Sequence, residues 1–334
     1  MMRSCSLVAA IAAVLIALLL AYPGHRVVDP GFEFLTDGQM PDAVARVAQR
    51  ALSRMWRDGF DRGLAAPREL IDAIDDLGIK SIVEIAAGSG VAPVMWQQSL
   101  RLTPVVTLTD LQPSPGDWAR LSHAAAAETP GAVVSCINRS VDATNLSAAL
   151  VGGDDDRGGA ELRTIHAALH HFPPPLVKKV LADAIVQSKK RAAASFLIGD
   201  LAPSRGGVAW NWLMAYKYGL SAPDPIGDVR ELLSELPWWG IALLPAMPFF
   251  AAWDATASEL RAYSSNELTE ILRSIDGFEE ERFDVKVFTS QSFGRMLFGL
   301  PEAWSTGVCA SWLGLDQPVI QWVLIGTIAA SSRR

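Results

Sequence analysis

Ile82-Val83-Glu84-Ile85-Ala86-Ala87-Gly88-Ser89-Gly90 decides the fold. Ile82, Val83 and Ile85 form a buried-strand pattern, residues 86–90 are small, and a helical stretch follows from Val91. A buried strand that enters a helix through a small-residue turn opens a β-α-β unit. Glycine and alanine let a ligand approach the backbone closely, and the helix N-terminus beyond favours anions. Gly-x-Gly alone does not name the ligand. The dinucleotide fingerprint requires a third glycine three residues on, where this chain has Pro93. Glu84 is the second discriminator. A carboxylate inside a buried strand needs a partner, and the amino group of an amino-acid-bearing cofactor would supply one.

Outward from this turn, strand and helix alternate. The strand candidates are Ser81–Ala86, Val105–Asp110, Ala132–Ile137, Leu162–His166 and Ala194–Gly199. Helices are predicted over Val91–Leu100, Asp117–Ala127, a short stretch near Asn145–Val151, and Pro175–Lys189. Such alternation predicts a parallel sheet with helices on both faces. Two late strands complete seven: Arg282–Phe288, which alternates apolar and polar, and Val319–Ile328, which is nearly all apolar. Upstream, apolar spacing predicts helices over Asp42–Phe60 and from Pro67 to Leu77, the second with Leu70, Ile71, Ile74 and Leu77 on one face.

Three acids follow strand positions in register. Glu84 lies in the first strand and Asp110 ends the second. Asp142 follows the third, ahead of Ala143. An acid at the second place can bond both ribose hydroxyls of a nucleoside, and one at the third can accept from the exocyclic amine of adenine. Each alone reads as a loop-capping acid; three at one sheet edge read as a nucleoside site. Three of the five histidines, His166, His170 and His171, lie within six residues. The first two have i,i+4 spacing, but His166 is predicted to end a strand and Pro173-Pro174-Pro175 blocks a helix there, so no metal is assigned. They either fix the turn or line a pocket, where a histidine removes protons near neutral pH. Asp154–Asp156, within Gly152–Gly159, read as a solvated turn.

With these residues the chain resembles the class I S-adenosylmethionine-dependent methyltransferases, in particular a mainly bacterial branch with a lipophilic insert. The resemblance covers about Lys80 to Ile328. It rests on Ile82–Pro93, Leu108–Pro113, Leu162–Pro173, and Trp253-Asp254 through Leu260–Ser264 with Glu267-Leu268. The chain departs from the family in having Glu84 where Asp is usual, a glycine loop followed at once by Val91, and Asp200 where Glu is usual. The implied fold is a Rossmann-like, seven-stranded, mostly parallel doubly wound α/β sheet, with an N-terminal helical extension and a helical insert after the fifth strand. The implied activity is methyl transfer from S-adenosyl-L-methionine to a small, hydrophobic acceptor. The resemblance implies cofactor contacts from Glu84, Ala87, Gly88, Gly90, Asp110, Leu111, Asp142, Ala143 and His166, and catalytic roles for His170 and His171. Asp200, Trp238 and Trp239 would face the acceptor. A non-catalytic module that keeps the fold for membrane or partner binding is the alternative; a nicotinamide-dependent oxidoreductase is disfavoured by Pro93 and Glu84.

The insert, about residues 201–264, carries Trp210, Trp212, Trp238, Trp239 and Trp253, and Leu236–Trp253 has no charge. Pro237, Pro245 and Pro248 interrupt it, which argues against a simple membrane span. It reads as a lid over an apolar acceptor, as an interfacial contact, or as core. Ser264 with Glu267 forms a capping box that closes it.

Domain limits follow: 1–25 a hydrophobic segment, 26–79 a helical extension, 80–334 the methyltransferase domain. Arg3 precedes the uncharged run Leu7–Tyr22. That run is read as a retained membrane anchor, so the protein is expected at a membrane with its catalytic domain on the cytoplasmic side, where the cofactor is made; a cleaved signal is the alternative. The net charge of -7 excludes a general nucleic-acid binder. Cys5, Cys136 and Cys309 give neither a disulfide framework nor metal-ligand spacing. A hydrophobic share of 50% provides for a sizeable core.

Overall fold

The computed structural model describes residue 26 and residues 53–61, 65–150, 160–190, 194–203, 247–290 and 320–327. By contacts the chain divides into two compact units. One comprises Met1–Met55, Leu201–Ala262 and Gln291–Val319; the other comprises Trp56–Asp200, Tyr263–Ser290 and Ile320–Arg334.

The larger unit is the sheet with its helices. In chain order it holds α1, helical over residues 53–61 and within this unit from Trp56, and α2 (Arg68–Asp76). Then come β1 (Ile79–Ile85), α3 (Val91–Ser99), β2 (Val105–Leu108), α4 (Pro115–Glu128) and β3 (Val134–Cys136). A 3-10 turn at Ala143–Asn145 leads into α5 (Leu146–Leu150) and β4 (Ala160–His166). A second 3-10 turn, Leu169–His171, precedes α6 (Pro174–Lys190) and β5 (Ala194–Leu201). After the insert's α7 (Met247–Arg261) come α8 (Ser265–Arg273), β6 (Phe283–Thr289) and β7 (Ile320–Thr327). The strand order is β3-β2-β1-β4-β5-β7-β6. β1 runs parallel to β2 and β4, β2 to β3, and β4 to β5, while β6 runs antiparallel to β7.

The residue patterns explain these places. β7 is apolar on both faces, as a strand between two neighbours must be. β6 alternates because only one of its faces meets the core, through Phe283 and Val285, and it takes the sheet edge. One face of the sheet packs Val83, Ile85, Ile165, Phe196 and Val323 against Val177, Val180 and Leu181 of α6 and Leu268 and Leu272 of α8. The expected capping box of α8 is present: the Ser264 hydroxyl accepts from the Glu267 amide, and Glu267 accepts from the Ser264 amide.

The opposite face carries an aromatic cluster. Trp56 and Phe60 of α1 meet Trp96 of α3 and Trp322 of β7, with ring centroids 6.1 Å apart for Trp56–Trp322 and 5.1 Å for Trp96–Trp322. The Trp322 indole N–H donates to the Ala65 carbonyl at 3.0 Å. Gly199 of β5 is what lets this ring lie across the strand, since a Cβ there would sit 2.3 Å from Trp322 Cζ3. Gly199→Ala is therefore expected to destabilise the protein by about 1–3 kcal/mol, the cost of overpacking a full core. Urea denaturation reads it as a lower midpoint with an unchanged slope.

In the smaller unit the described element is α7. Pro248, one of the prolines of the apolar run, is the second residue of this helix, where a missing N–H costs nothing because the first turn has no partner for it. Arg26 Nε donates to the Arg261 carbonyl at 2.9 Å, a cation at a helix C-terminus where the dipole favours it.

The membrane reading is corrected. Among the described residues no helix is long and apolar enough to cross a membrane. Residues 7–22 lie outside the described residues, and that run is shorter than the roughly 20 residues a spanning helix needs. The transmembrane anchor, the membrane partner and the localisation drawn from them are withdrawn. Residues 151–159, with their three aspartates, also lie outside the described residues.

Candidate active site at the carboxyl edge of the sheet

Chain order along the sheet reverses between β1 and β4. In an open α/β sheet the crevice beyond the strand ends at such a switch point is where ligands bind. Both strands leave the sheet there through an alanine in the left-handed region: Ala86 at φ 54 after β1 and Ala167 at φ 48 after β4. Each costs about 1–3 kcal/mol of backbone strain, which amide hydrogen bonds at the two turns help to hold. Ala87 N–H donates to Thr109 O at 2.9 Å, and Ala167 N–H to Gly199 O at 2.7 Å.

The glycine turn is clamped from three sides. Besides the Ala87 bond, Gly88 N–H donates to Asp110 Oδ2 at 2.8 Å, and Trp118 Nε1 of α4 donates to Gly88 O at 2.8 Å. Gly88 and Gly90 have φ of 50 and 73. Among the described residues a Cβ at Gly88 would meet nothing within 4 Å, whereas at Gly90 it would lie 2.6 Å from Leu108 Cδ1. Among those residues Gly88 thus faces open space, and Gly90 permits the close approach of α3 to β2. Asp110 Oδ1 accepts from Gln112 N–H at 2.8 Å, so each carboxylate oxygen has one internal donor and keeps a second lone pair. Beside it, Leu111 is 63% exposed. Asp142 follows the third strand as expected; its Oδ1 accepts from both the amide and the hydroxyl of Thr144 at 2.8 Å. These bonds, the backbone one first, hold its carboxyl below the ordinary aspartate value of 3.8. Any stability they give is present above that value and lost as pH falls through the depressed folded one.

Glu84 finds its partner within the protein. At 1% exposure, it accepts from the Thr164 hydroxyl and from His166 N–H at 3.1 Å, and its Oε2 lies 2.8 Å from His166 Nδ1. β1–β4 register explains the meeting, because Glu84 pairs with Thr164 and His166 is two residues on, on the same face. The His166 ring stands edge-on to Trp56 and Trp322, with centroids 5.9 and 5.5 Å away. A second carboxylate–histidine pair lies one strand over. His170 donates from its amide to Asp200 Oδ2 at 3.0 Å, and its Nδ1 lies 2.8 Å from Asp200 Oδ1. Both side chains are buried. His171 is exposed beside His170, at a centroid distance of 4.2 Å.

The structure therefore brings Glu84 and His166 together, Gly88 and Asp110 together, and Asp200 and His170 together. His166 and His170 serve different carboxylates. Ala87 and Ala143 lie in the turns that carry these groups, while Trp238 and Trp239 lie outside the described residues. Sequence reading missed Thr164 and the aromatic cluster. A hydroxyl in an apolar strand was the available signal for Thr164; for Trp56, Trp96 and Trp322, far apart in the chain, there was none.

A seven-stranded sheet of this order with an antiparallel final pair is the class I S-adenosylmethionine-dependent methyltransferase fold. No protein-family model and no curated protein sequence matches it. Among solved structures, an O-methyltransferase family protein from Burkholderia thailandensis is similar at 12% identity over 85% of this chain, with a TM-score of 0.39. This chain spans 62% of that protein's length. The methyltransferase PaMTH1 of Podospora anserina, bound to S-adenosylhomocysteine (SAH), is similar at 18% identity over 85% of this chain and 88% of its own, with a TM-score of 0.32. A methyltransferase from Geobacter sulfurreducens in complex with S-adenosyl-L-homocysteine is similar at 12% identity over 78% and 92%, with a TM-score of 0.37. Overlaps this loose do not bear on the reaction; strand order carries the fold.

Proposed function

We propose that this protein transfers a methyl group from S-adenosyl-L-methionine to a small, lipophilic acceptor. The observation that supports it most is Asp110: pinned by Gly88 N–H and Gln112 N–H, it retains a lone pair on each oxygen for two ribose hydroxyls. The open space at Gly88, the exposed Leu111 and the ionised Asp142 suit a nucleoside with an amino-acid tail. Ala87, Gly90 and Ala143 shape the turns, and the Glu84–His166 pair stands at the switch point beside them. The lipophilic acceptor rests on the composition of the uncharged run Leu236–Trp253, which includes Trp238 and Trp239.

The bound cofactor would supply an electrophilic methyl group. The chain's own residues align the acceptor and, where the acceptor must lose a proton, receive it. His170 is the candidate base: Asp200 takes its Nδ1 and so assigns proton acceptance to Nε2, the arrangement in which a carboxylate fixes a histidine tautomer. His171 would line the same approach.

Asp110→Ala should remove two charge-assisted hydrogen bonds to ribose, each worth roughly 1.5–3 kcal/mol. Calorimetry with S-adenosylhomocysteine is expected to show at least about a hundredfold loss of affinity. If the wild-type protein binds a nicotinamide dinucleotide and neither adenosyl compound, the proposal fails.

A further inference from the structure

The segment that would read adenine has little order of its own. A single 3-10 turn, Ala143–Asn145, passes directly into the five-residue α5, and helices this short are not stable alone. Its order comes from outside. Asp183 Oδ2, on α6, accepts from the Ser147 amide at 3.2 Å and the Ser147 hydroxyl at 2.7 Å. Arg163 Nη1 reaches the same oxygen at 2.8 Å and Ser147 Oγ at 3.2 Å. Arg163 lies within β4, is 2% exposed, and donates from Nε to Glu161 Oε1 at 3.0 Å. A chain of charge-assisted bonds thus runs from the centre of the sheet through α6 to Ser147, two residues past the turn. At its far end, Asp142 Oδ1 is used by Thr144, and Oδ2 accepts no hydrogen bond among the described residues. Arg163 is costly to bury, and the cofactor contacts above leave it without a role.

We infer that Arg163, Asp183 and Ser147 are positioning residues for purine selection: they fix the turn so that Asp142 offers Oδ2 to the exocyclic amine of adenine. This rests on the methyltransferase reading and adds to it the source of the site's base preference. The ligands that separate the two are S-adenosylhomocysteine and S-inosylhomocysteine, in which a carbonyl replaces the amine.

Calorimetry should show that the wild-type protein prefers the adenosyl compound. Ser147→Ala and Asp183→Asn should each narrow that preference by about threefold or more while leaving affinity for the inosyl compound within about twofold. Ser147→Thr, which keeps the hydroxyl, should keep the preference. A merely structural network would weaken both ligands alike or neither. Variants with native circular dichroism and an unchanged ratio overturn the inference. So does a wild-type protein that binds both compounds equally, although the methyltransferase reading then survives. A wild-type protein that binds neither removes both. If Asp183→Asn does not fold, Ser147→Ala decides, because it deletes one hydroxyl and leaves both ion pairs of Arg163, to Glu161 and Asp183, in place.

Discussion

Glu84→Ala is expected to destabilise the protein by about 3–5 kcal/mol, the usual cost of removing one partner from a buried, hydrogen-bonded pair. Glu84 is the common acceptor for the Thr164 hydroxyl, the His166 amide and the His166 ring. Without it, three donors are left in a place sealed by Trp56 and Trp322, and each buried group without a partner carries its own desolvation penalty. Glu84→Gln keeps one oxygen of the same reach and should lose less. Removing both members, as Glu84→Leu with His166→Leu, should cost less than the two single changes summed, because the pair is one unit. Urea denaturation of the four variants gives the comparison. A Glu84→Ala protein within about 1 kcal/mol of wild type would show that the pair contributes little, contrary to the usual penalty.

His170→Gln and Asp200→Asn are expected to lower turnover by about 10²–10⁴, the usual contribution of a positioned base, equivalent to about 3–5 kcal/mol of barrier. Affinity for S-adenosylhomocysteine should stay within about twofold, since neither residue belongs to the turns after β1, β2 and β3. Asp200→Asn acts through His170: an amide at that place no longer enforces which ring nitrogen carries the proton. Its effect should appear in kcat with a shifted pH profile, which a simple packing defect would not produce. The assay uses methyl-labelled cofactor with a lipid-soluble cell extract and counts labelled product. Wild-type turnover in both variants would mean that the acceptor needs no base, or finds it elsewhere.

Much of the fold was legible in the sequence because periodicity is local. Short apolar runs between helical stretches named all seven strands, the alternation in Arg282–Phe288 marked one of the two late ones, and Ser264 with Glu267 announced a helix start. The acids Glu84, Asp110 and Asp142 could be placed at one sheet edge for the same reason: each sits at a fixed offset from a strand. Their partners were not legible. That Glu84 meets Thr164 and His166 depends on β1–β4 register, set by pairing across 80 residues of chain. That Asp200 holds His170, and that Gly199 must be glycine to pass under Trp322, depends on side chains from different strands reaching the same point. Arg163, a charge inside an apolar strand, is answered only where α6 and α5 bring Asp183 and Ser147 to it. The sequence by itself determined which segments become strands and helices, and which acids stand at the strand ends, because those follow from hydrophobic period and turn chemistry within a few residues. Only the tertiary structure decided which buried charge answers which, because that is fixed by strand order and register, where one residue of slip would turn every side chain to the other face.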